Sequence, residues 1–109
     1  MKTAIHSMTF GITAVSAIAT QRFVDYDGNP CAAGEKALAA SHAGGAEIGE
    51  ECPLALGIVL VEAGAAIAKG DDVESDANGK AITQSAGVVN GAALDAASAD
   101  GDIIRVKNI

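Results

Sequence analysis

The sequence is poor in large side chains: tryptophan is absent, tyrosine occurs once, and phenylalanine and methionine twice each in 109 residues. A chain this short holds one domain and leaves no room for a large cofactor scaffold. Positive charge is also scarce, with 7 Lys+Arg against 14 Asp+Glu, a formal charge of -7. DNA and RNA binding require a basic footprint, so that balance argues against a nucleic-acid partner. The longest uncharged apolar run, Leu54 to Val61, is far below the ~20 residues of a membrane-spanning helix. Lys2 precedes a mostly uncharged stretch in which Ala17-Ile18-Ala19 has the small residues of a signal cleavage site. His6, Ser7, Thr9, Thr13 and Ser16 interrupt it, and it is read as part of the folded chain.

Catalytic and metal-binding patterns are missing as well. There is no G-x-S-x-G elbow, no H-E-x-x-H and no P-loop, and Val59 to Gly70 lacks the G-x-G-x-x-G of a dinucleotide turn. Neither His6 nor His42 stands beside a candidate nucleophile, so both are expected as solvent-exposed histidines, and no enzymatic activity, cofactor or metal is expected. Cys31 and Cys52 lie 21 positions apart, neither a CxxC redox pair nor a four-ligand zinc pattern. A Cys-His-Cys site with His42 would need His6 to arrive from a distant part of the chain. Two buried thiols in a reducing compartment are expected, with a disulfide as the rival reading.

What is abundant is small: 24 alanines and 13 glycines. At roughly 25 cal/mol per Å² an alanine contributes much less than a leucine or phenylalanine. A marginal protomer follows, stabilised by oligomerisation or by docking on a larger surface. Charge is divided along the chain. From Met1 to Val24 there are two basic residues and no acidic one, and from Asp25 onward five basic and 14 acidic, or +2 against -9. The functional reading is an N-terminal arm on an acidic neighbouring surface; the plainer one is a polar strand that lacks carboxylates.

Turn signals at 8–12-residue intervals predict a small all-β domain. Asp27-Gly28-Asn29-Pro30 reads as a reverse turn and Asn78-Gly79 as a two-residue primed hairpin. Strands are expected at Arg22–Tyr26, at Gly57–Glu62 as the central buried strand, and at Asp102–Lys107 with Ile104 and Val106 on one face. Ala63–Ala68 and Ala92–Ala99 are the two helix candidates, and strand or irregular structure is favoured for the second. Gly34-Glu35, Gly70-Asp71 and Gly101-Asp102 each place a carboxylate after glycine and before an apolar stretch, which reads as a turn feeding a strand with a solvated mouth. The acidic run Asp71 to Gly79 does not fit a calcium loop: from Asp72 it offers Ala77 and Thr83 where Gly and Glu are needed, and from Glu74 it offers Ser85 for the Glu. It reads as a solvated edge hairpin.

From about Tyr26 to its end the chain resembles the capsid cement, or head decoration, proteins of tailed bacteriophages. The matching segments are Ala32-Ala33-Gly34-Glu35, Gly57-Ile58-Val59 leading into Ala63-Gly64-Ala65-Ala66-Ile67-Ala68-Lys69-Gly70-Asp71, and Asn78-Gly79-Lys80-Ala81. The last runs from Gly91-Ala92-Ala93-Leu94 through Ala99-Asp100-Gly101-Asp102-Ile103-Ile104-Arg105-Val106. The resemblance implies a small β-barrel or β-tulip domain over residues 23–109, with residues 1–22 as an extended N-terminal arm or first strand. It further implies homotrimers on the outer face of the expanded shell, bound to the major capsid protein, resisting internal pressure and assembled in the host cytoplasm. Lys2, Met8, Phe10, Ile12 and Arg22 are the expected capsid contacts, pairing by strand addition.

Two other readings remain open from sequence. A biotinyl or lipoyl carrier barrel needs a hairpin-tip lysine flanked by Met or Asp, and Lys80 has Gly79 and Ala81 instead. A secreted adhesion module would carry a Cys31–Cys52 disulfide.

Overall fold

A computed structural model describes residues 3–108. The longest strand, β4 (Glu51–Glu62), organises the sheet. Its β-branched and leucine-rich second half favours extended backbone, and Val59 and Val61 are buried while Ile58, Leu60 and Glu62 are half-buried. β4 begins six residues before the expected strand. It runs through Pro53, which lacks a donor but whose carbonyl accepts a bond from His42 N–H at 3.1 Å.

The other strands are β1 (Ile5–Thr13), β2 (Phe23–Val24), β3 (Ala39–Ser41), β5 (Asp72–Ser75), β6 (Ala81–Thr83), β7 (Gly91–Ala93) and β8 (Ile103–Asn108). All pairings between strands are antiparallel, in the order β2-β3-β4-β8-β7-β5-β6, with β1 joined separately to β4. The two ends of that path meet where Phe23 N–H of β2 donates to the Gly79 carbonyl beside β6 at 2.7 Å, and Gly64 N–H, just after β4, also donates to the Ala81 carbonyl of β6 at 2.8 Å. The sheet is thus a nearly closed barrel, which removes most of its edges. Among the described residues there is no helix; the alanines at 63–68 and 92–99 lie in bridges, turns and β7, because tertiary pairing overrides a weak intrinsic propensity.

Two apolar clusters flank the sheet. Phe23, Cys31, Val59, Val61, Val73, Ile104 and Val106, with alanines at 40, 55, 63, 81, 93 and 97, fill the barrel. A second cluster on the other side gathers Ala14, Ile18, Val24, Ala39, Cys52 and Leu54, with Phe10, Ile12, Leu38 and Leu56 packed against it. Small side chains let the strands close around a narrow interior. Cys31 and Cys52 are free and lie in different clusters, so the disulfide reading is overturned.

The acidic turns have a chemistry that spacing did not reveal. In Ala32–Glu35, Glu47–Glu50, Ala68–Asp71 and Ala99–Asp102, the carboxylate after the glycine turns back to accept the N–H of the first turn residue, at 3.0, 2.8, 3.2 and 3.4 Å. The glycines adopt φ of +71°, +85°, +90° and +95°, open to them at little cost. These carboxylates close turns, and their role is not mainly to solvate strand mouths.

A second form occurs twice. In Asp25–Asn29 and Asp76–Lys80 the first Asp accepts the N–H groups two and four residues on, and its own N–H bonds the carbonyl four residues on. The hairpin at Asn78-Gly79 therefore has a three-residue loop, Ala77 to Gly79, where two residues were expected. A three-residue loop with a left-handed glycine suits the strand twist, and the Asp76 side chain favours it.

Candidate functional site

β1 is the exposed part of the sheet. It pairs with β4 from Ile5↔Ile58 to Thr13↔Glu51, with a register shift between His6 and Met8. Its other edge faces no strand among the described residues. Such an edge presents unpaired N–H and C=O groups, a template for strand addition. Ile5 and Met8 are 66% and 57% exposed, whereas Phe10 and Ile12 are half-buried against the second cluster. The register shift falls between Ile5 and Met8, and along the N-terminal part of the strand the apolar side chains reach solvent.

An apolar strip continues from Met8. Its cross-strand partner is Leu56, which with Tyr26, Leu38, Val89 and Asn108 lines a groove of about 300 Å³. Tyr26 is 55% exposed, and the Lys36 ammonium lies 5.9 Å from its ring centre. Leu56 was not foreseen, because the β1–β4 register that sets it against Met8 joins positions 48 apart and no local pattern encodes it; Tyr26 comes to Leu56 across the groove by the same kind of long-range folding.

Arg22 lies away from this strip in an ion network. Its guanidinium donates to Glu62 Oε1 at 3.1 Å and to the Asn78 carbonyl at 3.3 Å, and Lys80 Nζ meets Glu62 Oε2 at 3.1 Å and Asp100 Oδ1 at 3.0 Å. Burial alone would raise the Glu62 carboxyl, but hydrogen bonds and charge from Lys80 and Arg22 outweigh it and hold the group below 4.5. Lys80 is held down by two carboxylates, unlike the solvent-extended lysine a carrier domain needs. Lys2 lies outside the described residues.

The remaining reactive groups are muted. Burial, with the charges of Glu35 and Asp25, pushes the Cys31 thiol up to about 12 despite a hydrogen bond with Ser75 that lowers it. Burial, then Glu51, raises Cys52. Thiols of this kind are poor nucleophiles. Among the described residues no three His, Cys, Asp or Glu gather as a metal site, and the carboxylates of the acidic run at 71–79 are divided among separate turns. An exposed strand edge and an apolar strip with no assembled acid-base pair are suited to docking.

Comparison with known proteins agrees with that arrangement. The phage cement protein family matches residues 1–108. The chain belongs to this family. As a phage cement protein it is a structural component of the virion that associates with the capsid. The crystal structure of the head fiber gp8.5 N base of bacteriophage phi29 is similar in fold, with a TM-score of 0.78 and 18% identity over 94% of this chain and 93% of that one. Among curated proteins no sequence matches. The cement family spans the N-terminal residues too, which the sequence resemblance, beginning near Tyr26, did not cover.

Proposed function

We propose that this cement protein binds the outer surface of the expanded capsid as trimers and ties neighbouring major capsid subunits together against internal pressure. The observation that carries the reading is β1: a nine-residue strand with one edge unpaired and Ile5 and Met8 exposed on it. A strand of the major capsid protein adds to that edge through main-chain bonds, and apolar side chains set the register. The proposed contact set is Lys2, Met8, Phe10, Ile12 and Arg22. Met8 touches the shell, Phe10 and Ile12 hold β1 flat on its own core, and Lys2 and Arg22 supply positive charge. Trimer formation supplements a core built largely of alanine and valine.

The test is co-sedimentation with shells of the source phage that lack the protein, before and after expansion. Saturable binding to expanded shells at a fixed ratio to the major capsid protein is expected, and Met8→Glu, which keeps the strand, should weaken it. Binding to neither form, or undiminished binding by the variant, would refute the role given to β1.

A further inference from the structure

His6 and His42, which in sequence stand alone, meet in the fold. His6 lies on β1 opposite Gly57, and His42 follows β3 with its N–H on the Pro53 carbonyl. Both flanking strands pair with β4. The ring centres are 5.0 Å apart with planes inclined by 62°. We propose that these two imidazoles form a site for a divalent transition ion of the zinc, nickel or copper type.

Three observations carry this. Two imidazoles bound through nitrogen at about 2.0–2.1 Å to one tetrahedral ion have ring centres roughly 5 Å apart, the spacing found here. Neither imidazole has a hydrogen-bond or ion-pair partner among the described residues, so no competing contact occupies the ring nitrogens. Beside the rings lies a cavity of about 180 Å³, walled by Ala40, Ala55 and Val59 and edged by Thr20, Gln21 and Ser41. No carboxylate lines it. A neutral nitrogen donor pair favours borderline ions over magnesium and calcium, which take oxygen donors.

No third protein ligand joins the pair among the described residues, so water or a group from a neighbouring molecule completes the coordination. The bound ion clamps the start of β1 to the turn after β3, across β4. An edge-to-face aromatic contact alone predicts a different result: it survives replacement of both rings by phenylalanine and is indifferent to metal.

The test uses untagged full-length protein stripped with chelator and titrated calorimetrically with zinc, nickel or copper alone. One ion per chain is expected, with a rise in melting temperature reversed by EDTA. Because the second imidazole binds at high effective concentration, His6→Ala or His42→Ala should each weaken binding by roughly 10²-fold. His6→Phe/His42→Phe keeps aromatic packing, and should fold yet lose the response to metal. No binding at millimolar ion, or binding undiminished in the double variant, would overturn the proposal.

Discussion

Gly57 is a position that the β1–β4 register reserves for glycine, and Gly57→Ala tests it. Its φ of +111° lies where L side chains are strained, and a Cβ there would stand 2.7 Å from Ser7 N and 2.8 Å from Ile5 O. Both contacts are backbone, at the register shift of β1, so neither can swing away as a flexible side chain would. Gly70 is the control: its φ is +90°, and nothing lies within 4 Å of an added Cβ. Gly70→Ala therefore reports the dihedral cost alone, about 1–2 kcal/mol. Gly57→Ala adds displacement of a strand, and the total should reach about 3 kcal/mol or more, the upper range for backbone strain. In urea, with a slope of about 1.5 kcal/mol per M, the midpoints should fall by about 1 M for Gly70→Ala and about 2 M for Gly57→Ala. Hydrogen exchange should also rise selectively at Ile5 to Met8 in the Gly57 variant. Equal midpoint shifts for the two variants, or unchanged exchange in β1, would show that the β1–β4 register is wrong.

Acid should act through Glu74, a buried residue whose carboxylate accepts bonds from Ser85 N–H at 2.6 Å, Ser85 Oγ at 3.2 Å and Gly87 N–H at 3.3 Å. The Ser85 N–H bond is the main reason its carboxyl lies below 4.5 despite burial; such a group stabilises the fold above its unfolded value and loses that contribution as pH falls through the lower folded one. The stability gap between wild type and Glu74→Gln should therefore be widest near neutrality and close below about pH 4.5, and a pH-independent gap in urea titrations would refute this. Cys31 and Cys52 should resist an aromatic disulfide reagent in the native protein and both react in denaturant; rapid native reaction of either would contradict their burial.

Much of this architecture is readable from local chemistry. Glycine before a carboxylate marks turns at 34–35, 70–71 and 101–102, and β8 keeps the predicted alternation, with Ile104 and Val106 buried. The fourth such turn, Gly49-Glu50, is visible in the same terms, and the loops read as turns at Asp27–Pro30 and Asn78-Gly79 share an Asp, Asp25 or Asp76, that the turn signals alone do not single out. The signal there is Asp three residues before Gly, not the Asn-Gly pair. What no local pattern carries is pairing across the chain. β1 lies on β4, His6 reaches His42, and Arg22 finds Glu62 only because the sheet closes, and each of these joins segments 36 to about 50 positions apart.

The turn chemistry also changes the meaning of the charge asymmetry. Glu35, Glu50, Asp71, Asp102, Asp25 and Asp76 each close a turn, and every one lies at or after Asp25. The first 24 residues contribute β1 and β2 and none of these turns, so their lack of carboxylates follows from the fold and needs no acidic partner. Arg22, moreover, is already neutralised by Glu62. What distinguishes β1 as a docking element is its open edge together with Ile5 and Met8, features that salt does not screen. Docking through β1, as proposed, should thus depend only weakly on ionic strength in co-sedimentation, while Met8→Glu removes far more binding than Arg22→Gln. A steep fall in binding between low and physiological salt would instead return the main role to charge and to the residues at the ends of the strand.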